Sequence, residues 1–114
     1  MINKKKGMMV KAAQRKSLTV GQARKLLKNT PGWHLIDDSK MICREFIIQD
    51  FMTAIDLINR IGEIAEDEKH HPNIHLTDFR KLRIELTTHD VGGLSQKDFI
   101  EAAKINDLPV ELKR

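Results

Sequence analysis

Residues 66–98, EDEKHHPNIHLTDFRKLRIELTTHDVGGLSQKD, hold the end of one helix, a strand and the start of another helix. Leu82, Ile84 and Leu86 alternate with Arg83, Glu85 and Thr87, the period of a strand with one buried face. Gly92-Gly93 reads as a turn, and Ser95-Gln-Lys-Asp98 as the capping box of a final helix. That helix keeps Phe99, Ala102 and Ala103 inward and ends by Pro109. Upstream, Glu66–Lys69 is the charged last turn of a helix that must break before Pro72. Residues 72–78 read as an irregular connection, with extended character around Ile74–Leu76.

Outward from this stretch the pattern is of the same kind. Asp50 caps a long helix in which Phe51, Ala54, Ile55, Ile58, Ile61 and Ala65 recur at steps of three and four residues. Before it, Trp33–Ile36 and Met41–Ile48 read as a hairpin about the polar turn Asp37–Lys40, although Arg44 and Glu45 interrupt the alternation. Thr19-Val-Gly-Gln22 is a second capping box, and its helix carries Val20, Ala23, Leu26 and Leu27 inward until Asn29–Gly32 stops it. Helix, hairpin, helix, further strand and helix predict an α+β domain, with an antiparallel sheet of about four strands covered by helices on one face. A single domain is expected over 18–114. The bare sheet face and exposed edges lead us to expect a homo-oligomer, dimer or tetramer.

The net charge of +4 points to an anionic partner only if it is spread over the fold. It is concentrated instead: Lys4, Lys5, Lys6, Lys11, Arg15 and Lys16 all precede the first acidic residue, Asp37. Residues 1–17 read as a basic, disordered tail, with an organelle-targeting segment as the alternative. Nucleic-acid binding also lacks aromatics interleaved with basic residues, since Trp33, Phe46, Phe51, Phe79 and Phe99 stand in periodic, core-like contexts. No run approaches the ~18 apolar residues of a membrane span. The lone Cys43 has no partner for a disulfide or a CxxC pair, which fits a reducing compartment, and we expect a cytoplasmic protein.

Three readings are open for His70, His71, His75 and His89. His71 and His75 have the four-residue step of a helical metal site, but Pro72 spoils the helix and no nearby cysteine completes a set. A structural reading, in which each ring satisfies local polar groups, suits His34 and His75. General acid–base chemistry suits His70, His71 and His89, which leave the ends of a helix and a strand and border loops. Glu66, one helical turn before His70, is placed to orient that imidazole, or is one more carboxylate of a solvated charge run.

The spacing Glu66, three residues, His70-His71-Pro72, six residues, Phe79, nine residues, His89, eight residues, Asp98 resembles the signature of the pterin-4a-carbinolamine dehydratases. The likeness extends to Gly32-Trp33, Phe46-Ile-Ile-Gln-Asp50-Phe51, Thr88-His89, Gly93-Leu94-Ser95 and Asp98-Phe99, and covers roughly residues 18–108. One departure is visible. Many members carry a tryptophan two residues after HHP and one residue fewer before the next aromatic, where this chain has Asn73-Ile74-His75-Leu76. That loop is similar to a subgroup reading HHP, polar, aliphatic, His-Leu.

The resemblance implies a hydro-lyase that dehydrates 4a-hydroxytetrahydropterins, such as 4a-hydroxytetrahydrobiopterin, to quinonoid dihydropterins. That is a step in recycling the tetrahydropterin used by aromatic amino acid hydroxylases, to which the protein would be functionally linked. It implies no metal and no cofactor. It makes His70, His71 and His89 the acid–base set and Glu66 and Asp98 their supports, with Asp98 also the third residue of its capping box. His75, Thr88 and Pro72 become lesser substrate contacts, and Trp33 and Phe79 structural residues. It also carries an alternative, a non-catalytic binding module, because animal members double as a dimerisation cofactor for a homeodomain transcription factor and related chains serve as assembly factors.

Overall fold

The computed structural model describes residues 16–114, so all but the last two residues of the expected basic tail lie outside the described residues. Helix α1 spans Val20–Leu27, strand β1 His34–Ile36, β2 Met41–Ile47, α2 Phe51–Glu68, β3 Asn73–Thr77, β4 Lys81–Leu86 and α3 Gln96–Asn106, with a 3-10 turn at His89–Val91. The strands form one antiparallel sheet in the order β1-β2-β4-β3. This is the expected α+β architecture. Both capping boxes form, at Thr19 with Gln22 and at Ser95 with Asp98, and Asp50 accepts from Thr53 N.

One core joins the three helices to one face of the sheet. It contains Ala23 from α1, Ala54, Leu57 and Ile61 from α2, and Phe99, Ala102 and Ile105 from α3, packed on Ile42, Phe46, Leu82, Ile84 and Leu86. The register Ile42↔Leu86, Arg44↔Ile84 and Phe46↔Leu82 puts these strand residues on the covered face. Arg44 therefore breaks the alternation in character only. Its guanidinium lies 4.4 Å over the Phe46 ring and bonds Asn106, which also accepts from Trp33 Nε1 at 2.9 Å. Gly32, at φ 90°, leaves room for this arginine, since a Cβ there would stand 2.8 Å from Arg44 Nε.

Several expectations are corrected. Residues 73–77 form a regular edge strand, because Ile74 and Leu76 pair with Ile84 and Leu82 while Asn73, His75 and Thr77 face the open side. Phe51 and Phe79 are not core residues, being 47% and 56% exposed. Phe51 opens α2, and Phe79 stands in the β3–β4 turn at φ 56°, with Arg80 over its ring. On α3, Ala103 is only half-buried, whereas Ile105 and, against its charge, Glu101 are fully buried. Among the described residues no helix is long and apolar enough to cross a membrane.

Candidate active site

Helix α2 ends at Lys69, which adopts the left-handed conformation at φ 52° and donates its N–H to the carbonyls of Ala65 and Glu66. His70 N also returns to Ala65 O, at 3.1 Å. This reversal aims the two neighbouring histidines differently. His70 swings inward, where Nε2 meets Asp98 Oδ1 at 2.6 Å, and its side chain is only 11% exposed. His71 stays outside, and its Nε2 meets Glu66 Oε2 at 2.6 Å. Glu66 thus orients His71 and not His70, contrary to the helical-turn expectation, because the left-handed Lys69 ends the helix between them.

Asp98 sits at the first turn of α3 with no exposure. Its Oδ2 accepts from Thr88 Oγ1 at 2.8 Å and from Ser95 N at 3.0 Å, while Oδ1 takes His70. Cap and imidazole holder are therefore one carboxylate. Thr88 also shares a 2.7 Å hydrogen bond with Ser95 Oγ, so the strand end after β4 is pinned to the helix start. Leading out of that pinned segment, His89 begins the 3-10 turn on the exposed surface.

The three histidines line one open cleft of about 290 Å3, together with Lys69, Thr87, Thr88, Asp90 and Lys97. That size is at the lower end for small-molecule sites. A carboxylate can only accept, so Nε2 of both His70 and His71 carries the donated hydrogen. In the neutral rings Nδ1 is then the nitrogen left to exchange protons. The cleft combines two oriented imidazoles, a third on a separate turn, and two cationic side chains at its rim. That set can deliver one proton and remove another without a further group.

His75 is not brought to this cleft. It lies on the open sheet face with Nε2 3.1 Å from Glu85 Oε1, beside a larger concavity of about 360 Å3 that holds none of the trio. Burial pushes the Glu85 carboxyl up, but hydrogen bonds from Arg83, His75 and Asn73 outweigh it and leave the carboxyl below its ordinary range. The smaller cleft, and not this concavity, holds His70 and His71 with their carboxylate partners beside His89. Pro72 is not among the cleft residues either, and Thr88 is buried, its hydroxyl turned to Asp98 and Ser95. Among the described residues, the set of three donor groups close enough to share an ion is His34, Cys43 and Glu45, also on the open face, and not the trio. Sequence reasoning passed over Lys69 and Lys97 at the rim and Glu101 behind Asp98. A charged residue flanked by Ala102 and Ile105 on an inner helix face was the available signal for the last.

Residues 16–108 match the family model described as pterin 4 alpha carbinolamine dehydratase. The chain is 38% identical over 112 residues to pterin-4-alpha-carbinolamine dehydratase 2, mitochondrial, of Arabidopsis thaliana, covering 96% of this chain and 60% of that one. It is 40% identical over 94 residues to a putative pterin-4-alpha-carbinolamine dehydratase of Methylococcus capsulatus, covering 82% of each. Among solved structures it resembles a transcriptional coactivator/pterin dehydratase from Brucella melitensis, with a TM-score of 0.74 at 28% identity over 80% of this chain and 96% of that one. A pterin dehydratase-like RuBisCO assembly factor of the alpha-carboxysome shares the fold alone, at a TM-score of 0.56 and 15% identity over 68% of this chain and 89% of that one.

Proposed function

The chain belongs to the pterin 4 alpha carbinolamine dehydratase family of hydro-lyases, and from that premise we propose that its histidine cleft dehydrates a 4a-hydroxytetrahydropterin. In the elimination the C4a–O bond breaks with its electron pair leaving on oxygen. One imidazolium protonates that oxygen to water, a neutral imidazole takes the N5 proton, and C4a=N5 forms. Electrons balance within the substrate. His70, His71 and His89 supply the acid and the base, with Asp98 and Glu66 holding the first two rings. The observation that carries this reading is the convergence of the three rings on one cleft, two of them fixed through Nε2 at 2.6 Å.

The test is direct. Purified protein should accelerate the decay of the transient absorbance of a 4a-hydroxypterin generated in the assay, and no acceleration would overturn the proposal. A non-catalytic binding module is the second reading. The Brucella protein, described as both transcriptional coactivator and pterin dehydratase, favours it to the extent that one such fold carries both descriptions. We assign the product to tetrahydropterin recycling beside an aromatic amino acid hydroxylase, in a homo-oligomeric, cytoplasmic protein. The Arabidopsis relatives are named mitochondrial and chloroplastic, so imaging of a tagged full chain decides the compartment.

A further inference from the structure

Strand pairing gathers three metal-binding residue types at the β1 edge of the open sheet face. The register His34↔Cys43 makes these two cross-strand neighbours, and Glu45 follows Cys43 by two residues on the same side of β2. His34 Nε2 stands 3.3 Å from Cys43 Sγ. One donor atom from each of His34, Cys43 and Glu45 lies within 4.8 Å of the others. None of the three belongs to the histidine cleft.

A tetrahedral zinc ion, with a Zn–S bond of about 2.3 Å and a Zn–N bond of about 2.0 Å, holds its sulfur and nitrogen ~3.5 Å apart. The Cys43–His34 pair already stands close to that separation, and the backbone register puts it there. Glu45 has to close by about 1 Å at most, and its side chain is 59% exposed. Its contact with Arg83 is long, at 3.7 Å, and exposed pairs of this kind contribute little. Arg83 keeps its 2.8 Å bond to Glu85 when Glu45 turns away.

The charges also match. A thiolate and a carboxylate neutralise a divalent cation, while the neighbouring Arg83–Glu85 pair is balanced within itself. One sulfur, one imidazole nitrogen and one carboxylate oxygen suit a borderline-soft ion such as Zn2+, whereas Mg2+ and Ca2+ take oxygen alone. Cys43 has no exposed surface and His34 and Glu45 are exposed, so the thiol is the inner ligand and the other two are the outer ones.

We propose that His34, Cys43 and Glu45 form a zinc site, with water in the fourth position, that ties the three-residue edge strand β1 to β2. On binding, Cys43 releases its thiol proton to solvent, His34 ligates as a neutral imidazole through Nε2, and Glu45 ligates through a carboxylate oxygen. The site stands independently of the dehydratase reading of the cleft.

The experiment titrates the untagged full chain with Co2+, because a cobalt–thiolate bond absorbs in the near ultraviolet and Cys43 is the chain's one cysteine. The band should saturate at one ion per chain and bleach on addition of Zn2+. Cys43→Ser, which keeps a hydrogen-bonding group of similar size, should lose the band while remaining folded by circular dichroism. His34→Ala and Glu45→Gln should each weaken Co2+ binding by at least ~10-fold, the loss that even an outer partner of a ligand causes. No thiolate band in the unaltered protein, or a band of undiminished affinity in either of these two variants, would overturn the site. Zn2+ should also raise the melting temperature of the unaltered protein and not that of Cys43→Ser. An equal rise in both would place the ion on other residues and overturn the proposal.

Discussion

His70 and His71 are adjacent in the chain and differ in almost everything else. The inner ring is held by a carboxylate with no exposure, and the outer one by a carboxylate in solvent. Exposed pairs contribute about 1 kcal/mol or less, whereas removing one member of a buried hydrogen-bonded pair costs several times that. Glu66→Ala should therefore leave thermal stability within about 1 kcal/mol of the original, while Asp98→Ala should lose roughly 2–4 kcal/mol and most of kcat, read by thermal melts and the absorbance assay. His71→Ala and His89→Ala should each lower kcat by at least ~10²-fold with little change in melting temperature. Near-unaltered turnover by either would remove it from the acid–base set. The family resemblance, more than spacing alone, singled out the trio and both carboxylates as candidates. Which carboxylate meets which ring was not legible, because that depends on the left-handed turn at Lys69. Glu101 was missed for a different reason, since a glutamate on a helix ordinarily marks the wet face and only its apolar neighbours Ala102 and Ile105 signal otherwise.

Among the elements, the end of α2 bears most directly on the site. In the left-handed region a non-glycine residue carries strain of roughly 1–2 kcal/mol, greatest for a β-branched side chain, which glycine escapes for want of a Cβ. Lys69→Gly should hold or raise the melting temperature, and Lys69→Val should lower it and reduce kcat, by disturbing how His70 and His71 leave the helix. A Lys69→Val protein with intact melting temperature and turnover would refute that account. Helices and turns were well marked in the sequence, because capping boxes at Thr19 and Ser95 and the polar turn at Asp37–Lys40 declare themselves locally. Strand β3 was not, since in Asn73-Ile-His-Leu-Thr77 only two residues are apolar, and the strand exists by virtue of the partner that Ile74 and Leu76 meet in β4.

For the molecule as a whole, two properties follow. Phe51 and Met52 are 47% and 69% exposed at the start of α2, and Ile47 and Leu112 are exposed on adjoining backbone, joined where Lys113 N donates to Ile47 O. Light scattering coupled to gel filtration should find a dimer or tetramer, and Phe51→Asp with Met52→Asp should shift it towards monomer. A monomer before substitution would refute this. The second property is a dependence on pH. Glu101, raised from about 4.5 in the unfolded chain to about 7 in the fold, binds its proton more tightly when folded. Its contribution is fully present below pH 4.5 and is lost as pH rises through 7. Glu101→Leu should remove that loss, gaining on the order of 3 kcal/mol relative to the unaltered protein between pH 4.5 and 7.5 in denaturant titrations. Parallel pH profiles for the two proteins would count against the buried acid.

The Asp98 carboxylate has a consequence in time as well as in space. Its Oδ2 receives the Ser95 amide at the start of α3 and the Thr88 hydroxyl beyond β4, while Oδ1 receives His70 from the end of α2. Thr88 and Ser95 lie within ten residues of Asp98, so only His70, 28 residues away, must arrive from a distant segment before that one group is satisfied. During refolding the cap at Ser95 can close locally with its helix, so recovered turnover should track the later docking of the end of α2, when His70 meets Asp98, rather than the earlier return of helical signal or protection of the Ser95 amide.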